Sequence, residues 1–209
     1  MLFSLILQAQ DDSDQRLLKL VEHQLGTEAV SINDVLSNDR YASLLINPKL
    51  RVKLRNSLLK YPAFYELIMV TPKETGERLI IYGKLANPKP SSLIYFFQTD
   101  NNGLYAPEHE RSGAGSNNPR LFGYIQPNEK GEFKINTIVP ACYPGGSLKH
   151  IHYQIINGNS ITDGELIFDE EPYPPNDRQR SWARRVGFKI VKKEWDEQEN
   201  SYVLRVEIK

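Results

Sequence analysis

The sequence has little that would commit the chain to nucleic acid or to a disulfide framework. Of its 209 residues, 26 are Lys or Arg and 26 are Asp or Glu, so the formal net charge is zero. A chain without a basic excess has no electrostatic footprint for DNA, RNA or an anionic membrane, so no nucleic-acid partner is expected. The single cysteine, Cys142, cannot form a disulfide within the chain. It is either a packed thiol or a neighbour of a functional site.

Long apolar runs are also lacking. The apolar run at residues 1–10 is too short to span a bilayer, so no membrane span is expected. It resembles the apolar part and cleavage end of a secretory signal, but lacks the positive residues that precede that part. Two interpretations stay open: a truncated signal on a protein exported to the periplasm or cell envelope, or an apolar segment that docks on the core of a cytoplasmic protein.

Residues 11–62 have the pattern of a helical extension. Apolar residues recur at three- and four-residue spacing, as they do on one face of a helix. In the last of these predicted helices, which Pro48 opens, Leu50, Leu54 and Leu58 form an apolar stripe. This stripe could join two chains in a homodimer, or it could pack against the chain's own sandwich.

Residues 63–209 have short β-branched and aromatic runs separated by turns rich in Gly and Pro. This pattern predicts an all-β fold, an antiparallel β-sandwich, rather than a parallel α/β sheet. The predicted strands lie at 64–70, 79–85, 93–98, 131–138, 150–156, 165–168, 186–195 and 201–208. Two long loops interrupt them, 101–119 and 170–185. The second contains four arginines, which could bind an anion or belong to a solvated connector.

A His-x-His pair is the main candidate for a functional site. If 150–156 is a strand, alternation places the imidazoles of His150 and His152 on the same face. Two imidazoles on one face suggest a metal ligand pair. Tyr143 lies seven residues before His150 in a turn rich in Pro and Gly, and adds a phenol oxygen. From these residues alone, a metal site and a pair of buried structural histidines are both open.

The context of this pair resembles the intradiol ring-cleavage dioxygenase family, which includes the catechol and protocatechuate dioxygenases. Three motifs carry the resemblance: D-x-x-G-x-Y, which ends at Tyr105, T-I-x-P-x-x-Y, which ends at Tyr143, and H-I-H at 150–152. The strand at 131–140 also resembles the family's G-x-F-x-F-x-T-I-x-P segment. The short spacing from Tyr143 to His150 is closer to the exported, single-domain members.

The resemblance implies a β-sandwich that holds non-haem iron(III) through Tyr105, Tyr143, His150 and His152. Phenolate and imidazole donors suit ferric iron, whose charge lowers the pKa of a coordinating phenol. The resemblance also implies that a catechol-type substrate binds as a dianion and that Tyr143 leaves the metal to act as a catalytic base. Dioxygen then cleaves the ring to a muconate-type diacid, a reaction of aromatic compound catabolism.

Two positions depart from the family's pattern. Ser147 stands where the family usually has an arginine that stabilises the bound ring, and Arg120, Lys149 or Arg111 could supply the positive charge instead. Glu165 stands where a glutamine usually lines the site, and would repel a catecholate unless it is protonated or turned away. Because of these departures, a non-catalytic β-sandwich module that mediates binding or interaction stays open as an alternative.

A cupin is the nearest other metal fold, because it also uses a His-x-His strand. It needs a glutamate four or five residues after the second histidine, and Ile156 and Asn157 occupy those positions. A cupin is therefore not expected.

Overall fold

A computed structural model describes residues 2–108 and 115–209, with the side chains of the first helix from residue 12 onward. The α-helices among these residues are α1 Leu2–Gly26, α2 Ile32–Ser37, α3 Ala42–Ile46, α4 Pro48–Leu58 and α5 Asp177–Val186. The strands are β1 Ala63–Phe64, β2 Glu66–Ile68, β3 Arg78–Leu85, β4 Leu93–Gln98, β5 Leu121–Gln126, β6 Glu132–Ile138, β7 His150–Asn157, β8 Ser160–Phe168, β9 Lys189–Val191, β10 Glu194–Asp196 and β11 Ser201–Ile208. Among the described residues, no helix combines the length and apolar character needed to cross a bilayer.

Local sequence explains where the short N-terminal helices begin. Ser31 and Asp34 form a capping box at α2, in which each side chain accepts a hydrogen bond from the other residue's backbone N–H. At α4, the side-chain oxygen of Asn47 accepts from the first backbone N–H groups, and Pro48 occupies the first turn, where no N–H is needed. Helix α4 is therefore specified at its start by two adjacent residues.

The apolar stripe of α4 is buried within the chain. Leu50, Leu54 and Leu58 are at most 2% exposed, and α4 packs against α1, α3 and β5. Of the two roles open from the sequence, packing within the chain is the one observed. A homodimer therefore needs another surface, and it stays a prediction.

The strands form a sandwich of two sheets. Their orders are β1-β5-β4-β7-β8-β9 and β10-β11-β3-β6-β2. The core lies between them, where the ring of Phe96 in β4 is 5.6 Å from that of Phe133 in β6 and 6.0 Å from that of Tyr153 in β7. Phe133 and Ile135 are buried while Glu132 is exposed, as the alternation in the sequence predicts.

The sheets are mixed, so the all-β, antiparallel prediction holds only in part. Four strand pairs are parallel: β1 with β5, β2 with β6, β3 with β11, and β8 with β9. The last pair has a direct physical reason: α5 connects β8 to β9, and a helical crossover returns the chain in the same direction. The central pairs β4–β5, β4–β7, β7–β8 and β3–β6 are antiparallel.

Helix α5 corrects the interpretation of 170–185 as a loop. Asn176 and Gln179 form a capping box at its start, and Gly187, with φ of +86°, ends it in the left-handed conformation. Four of the ten residues of this helix are arginines, and Ala183 is its only buried residue among those described. The helix therefore lacks the apolar stripe by which a helix is usually predicted. The capping pair is the sequence signal from which this helix could have been predicted.

Strand β5 was not predicted. Its first five residues, Leu121 to Ile125, are all buried, so both faces are covered and the sequence shows no alternation. One face lies against the core, and α4 lies near the other. A strand covered on both sides has no period-two pattern to detect.

Candidate metal centre

The two histidines lie on the outer face of the six-stranded sheet. In β7, Ile151 and Tyr153 are 1% and 2% exposed and point into the core, while His150 and His152 alternate with them on the opposite face. The predicted alternation is therefore observed. The ring of Phe97, opposite His152 in β4, stacks on the imidazole with centroids 4.6 Å apart and planes 13° apart.

A tight turn after β4 presents Tyr105 to this face. The Asp100 carboxylate accepts hydrogen bonds from the N–H groups of Asn102 at 2.8 Å and Leu104 at 3.1 Å. Gly103, with φ of +76°, completes the turn. The carbonyl of Tyr105 then accepts from the N–H of Arg120 at 2.6 Å. Tyr105 is 2% exposed, so both its backbone and its ring are held.

The turn packs directly on the segment that carries Tyr143. A Cβ added at Gly103 would overlap the carbonyl oxygen of Cys142 and approach the Cα of Tyr143. Two hydrogen bonds join the same segments: Thr99 Oγ1 donates to the carbonyl of Ala141 at 2.9 Å, and Ala141 N–H donates to the carbonyl of Asp100 at 3.2 Å. Two phenols separated by 38 positions in sequence meet because these backbones touch.

Four donor atoms form a closed ring of short contacts. The phenol oxygen of Tyr105 lies 2.7 Å from that of Tyr143 and 2.7 Å from Nε2 of His152. The phenol oxygen of Tyr143 lies 2.9 Å from Nε2 of His150, and the two Nε2 atoms are 3.1 Å apart. The structure thus brings together all four residues that the sequence suggested as metal ligands.

The outer nitrogens of both imidazoles face acceptors. Nδ1 of His150 lies 2.8 Å from the carbonyl oxygen of Leu148, an acceptor only, so Nδ1 carries the hydrogen. Nδ1 of His152 faces Oε1 of Glu165 at 3.4 Å. Each Nε2 points inward at one phenol oxygen, Tyr143 for His150 and Tyr105 for His152, while the outer nitrogen meets an acceptor, as in a metal-binding histidine.

The ring of four contacts is short of hydrogens. At most three hydrogens are available to its four contacts: one on each phenol of Tyr105 and Tyr143, and one on Nε2 of His152, because the hydrogen of His150 is on Nδ1. At least one of the four contacts therefore places lone pair against lone pair. A cation among the four atoms would attract all of them, and ligand atoms bound to one ion at about 2.0–2.2 Å are spaced about 3 Å apart. The four residues fit a metal ion.

The protonation states suit the same conclusion. Burial lowers the pKa of His150, and burial together with the neighbouring His150 lowers the pKa of His152 to about 3. Both imidazoles are therefore neutral near pH 7, the form that binds a metal. Burial raises the pKa of both Tyr105 and Tyr143, so their phenols keep their protons until a cation displaces them.

Glu165 is a further titratable side chain at this face. It lies opposite His152 in β8, and His150, His152 and Glu165 each offer a ligand atom within 4.8 Å of the others. Burial raises the pKa of Glu165 to about 7. Because His152 is neutral there, its 3.4 Å contact with Glu165 is not an ion pair, and it places an acceptor oxygen beside the outer nitrogen of the imidazole.

The pKa of Glu165 predicts a pH-dependent stability in the metal-free protein. The folded-state pKa lies above the ordinary value of 4.5, so this contribution to stability is complete below pH 4.5 and is lost as the pH rises through 7. Relative to the wild type, Glu165→Gln should therefore have a higher free energy of unfolding at pH 8 than at pH 5, with a gain between the two pH values of up to about 3 kcal/mol. Urea unfolding at the two pH values measures it. Glu207→Gln, at an exposed carboxyl on β11, is the matched control, and an equal effect of Glu165→Gln at both values would contradict the prediction.

The predicted substrate-binding cations pair with carboxylates. The guanidinium of Arg120 contacts Glu74 at 2.6 and 2.8 Å and Asp100 at 3.5 Å. Lys149 Nζ lies 2.8 Å from Glu170. Each positive charge is thus held by acidic side chains outside the four-donor ring. Arg111, the third candidate, lies outside the described residues.

Ser147 has a contact that sequence reasoning missed. Its hydroxyl accepts a hydrogen bond from the backbone N–H of Tyr143 at 2.9 Å. A serine four residues after the tyrosine can close this turn, and an arginine cannot accept that bond. Phe97 was also missed as a site residue, because its contact with His152 depends on the pairing of β4 with β7.

The fold and this site together define a β-sandwich protein with a candidate metal centre of two tyrosines and two histidines. Comparisons with known proteins point to a dioxygenase. Residues 64–156 match the model of a dioxygenase family, specifically its C-terminal domain. The predicted resemblance to the intradiol ring-cleavage dioxygenases is thereby confirmed. No curated protein sequence matches the chain significantly.

Solved structures share the fold. An intradiol ring-cleavage dioxygenase from Tetranychus urticae is 18% identical, with a TM-score of 0.51 over 70% of this chain and 85% of that one. The dioxygenase domain of a carbohydrate-binding fusion from Streptomyces sp. SirexAA-E is 19% identical, with a TM-score of 0.50 over 70% and 87%. Catechol 1,2-dioxygenase of Acinetobacter radioresistens is 14% identical, with a TM-score of 0.51 over 97% and 81%. At these identities the likeness concerns the fold.

Proposed function

We propose that the chain is a non-haem iron(III) intradiol dioxygenase-like protein, which binds a catechol-type substrate and cleaves its ring with dioxygen to a muconate-type diacid. One observation carries the proposal: two phenol oxygens and two imidazole nitrogens converge with neighbouring atoms 2.7–3.1 Å apart. Phenolate and imidazole together suit ferric iron, because the anionic oxygens balance its high charge. The dioxygenase family match over 64–156 includes all four residues.

The two tyrosines differ in a way that suits different roles. Tyr105 is 2% exposed and anchored by its backbone to Arg120, as a permanent ligand should be. Tyr143 is half-buried and is followed by Gly145 and Gly146, both with φ of +94°. We assign Tyr143 as the ligand that a catechol displaces and as the base that accepts its hydroxyl proton.

The histidines and their outer partners hold the remaining geometry. Nδ1 of His150 donates to the carbonyl of Leu148, and Nδ1 of His152 faces Glu165, so each ring is fixed with Nε2 inward. Phe97 stacks on His152 and limits its rotation. Bound ferric iron would supply the electron withdrawal that opens a coordinated catecholate ring to dioxygen. Glu165, as a neutral carboxyl below pH 7, would not repel that substrate.

A specific observation favours a second candidate, a protein that keeps the fold without turnover. Ser147 occupies the position where the family usually has an arginine, and the Ser147 hydroxyl accepts a hydrogen bond from the backbone N–H of Tyr143. Arg120 and Lys149 are both paired with carboxylates. Among the described residues, these three positions therefore offer no uncommitted positive charge to a bound catecholate.

One experiment tests the function and separates the two candidates. Purified protein is loaded with ferric salt, and the visible spectrum is recorded before and after a catechol is added. The proposal expects a tyrosinate-to-iron(III) charge-transfer band that shifts with catechol, followed by a ring-opened diacid containing both atoms of ¹⁸O₂. A shifted band without product supports the second candidate. A protein that stays colourless with ferric salt overturns iron binding altogether.

Export to the periplasm or cell envelope, with a cytoplasmic protein as the alternative, stays a prediction from residues 1–10. The homodimer also stays a prediction. Cell fractionation tests the first, and light scattering of the purified chain tests the second.

A further inference from the structure

Arg51 of α4 is a fully buried charge, and each nitrogen of its guanidinium has a hydrogen-bond partner. Its guanidinium is 0% exposed. Nε donates to the carbonyl of Asn118 at 3.0 Å, and Nη1 donates to the carbonyls of Leu45 at 2.7 Å and Ile46 at 3.2 Å. Nη2 donates to the carboxylate of Glu108. The planar fork of an arginine matches such a set of acceptors, and a lysine does not.

Burial of this charge contributes little net stability, so its role follows from the segments that its hydrogen bonds connect. An ion pair removed from water gains about as much as it loses, so an apolar residue of the same size would serve the core as well or better. The carbonyls of Leu45 and Ile46 belong to the last turn of α3, where a helix leaves carbonyls unpaired and favours a cation. The partners at Glu108 and Asn118 are of another kind, because they lie in the long segment between β4 and β5.

Those two partners flank the anchor of Tyr105. Glu108 is three residues after Tyr105, and Asn118 is two residues before Arg120, whose N–H donates to the Tyr105 carbonyl at 2.6 Å. Arg51 thus ties the chain that leaves Tyr105 to the chain that returns beside it.

Helix α4 holds the returning chain at two more points. Arg55, one turn after Arg51, donates from Nη1 to the carbonyl of Asn117 at 2.7 Å. The side-chain amide of Asn118 donates to the carbonyl of Pro48 at 3.1 Å. Pro48, Arg51 and Arg55 of α4 therefore all form hydrogen bonds with residues 117–118.

We propose that Arg51 is a positioning residue for Tyr105, so that the helical region forms part of the metal centre rather than a separate appendage. This inference rests on the proposed iron site for its effect on metal affinity. Its structural part, the fixing of residues 101–108 and 115–120 by α4, stands without any metal. Loss of the clamp frees the Tyr105 turn from one side while the histidines of β7 keep their places.

The test uses the full chain with Arg51→Met, which removes the charge, and Arg51→Lys, which keeps the charge but cannot reach all four acceptors. Lys53→Met, at an exposed position of the same helix, is the matched control. Amide hydrogen exchange of the metal-free protein compares residues 101–108 and 115–120 with strand β3. A ferric titration followed in the visible spectrum gives the metal affinity.

The clamp predicts that exchange in 101–108 and 115–120 accelerates at least about tenfold in Arg51→Met while β3 changes much less. Ferric affinity should fall by about 10- to 100-fold, the range for a residue that orients a ligand. Arg51→Lys should lie between Arg51→Met and wild type in both measurements, and Lys53→Met should match wild type.

Exchange that rises equally in all segments, or not at all in 101–108 and 115–120, would overturn the clamp. If Arg51→Met does not fold, Arg51→Lys alone decides by the same comparison of segments. The exchange measurement needs no iron, so a wild-type protein that takes up none would refute the iron proposal and leave the clamp to be judged by exchange.

Discussion

Tyr105→Phe should abolish tight ferric binding, with affinity at least about 100-fold below that of the wild type. Loss of a residue that only orients a ligand costs about 10- to 100-fold, and this change removes a donor atom itself. The Tyr105 oxygen makes contacts of 2.7 Å with both Tyr143 and His152, so two of the four contacts in the ring disappear with it. The ring of phenylalanine fills the same buried volume, so the fold should be retained.

Ferric titration with visible and electron paramagnetic resonance spectra measures this effect, since a single remaining tyrosinate gives a weaker and shifted charge-transfer band. Tyr124→Phe is the matched control, because Tyr124 is also a buried tyrosine on the outer face of the same sheet but lies outside the ring of donors. Wild-type affinity in Tyr105→Phe would remove Tyr105 from the ligand set. Loss of affinity in both variants would indicate a general effect of deleting a buried hydroxyl.

Gly103→Ala should damage both stability and the candidate metal centre. A residue with a Cβ at φ of +76° costs about 1–2 kcal/mol. Overlap of that Cβ with the Cys142 carbonyl adds about 1–3 kcal/mol, because backbone on the other side cannot rotate away as a side chain can. The free energy of unfolding should therefore fall by about 2–5 kcal/mol. Relief of the overlap moves the turn away from Cys142 and separates the Tyr105 and Tyr143 oxygens, so ferric affinity should fall as well.

Gly158→Ala separates the two causes. Gly158 has φ of +62°, and a Cβ added there meets no atom within 4 Å, so only the backbone conformation is penalised. Its loss of stability should be about 1–2 kcal/mol, with unchanged ferric affinity. Equal losses for Gly103→Ala and Gly158→Ala in urea unfolding would show that the contact with Cys142 does not matter.

Much of the sandwich was predicted from short β-branched and aromatic runs between turns, and strands covered on one side only showed alternation as well. A half-buried strand such as β6 must alternate, and Phe133, Ile135 and Thr137 alternate with polar neighbours in the sequence as they do in the structure. The same rule placed His150 and His152 on one face. It failed for β5, where both faces are buried, and for the segment that forms α5, where four arginines conceal a helix of ten residues. Parallel pairing was also missed, since strand direction depends on where a connection returns.

The sequence by itself determined which residues make up the candidate site, because Tyr105, Tyr143, His150 and His152 lie within three short motifs that resemble one family. Only the tertiary structure decided what surrounds them. The contact of Gly103 with Cys142 and the clamp of Arg51 on Glu108 and Asn118 join segments far apart in the chain. So do the pairings that commit Arg120 and Lys149 to carboxylates. Local patterns follow from the periodicity of one helix or strand, whereas such contacts depend on how several elements pack at once, and no single segment encodes that packing.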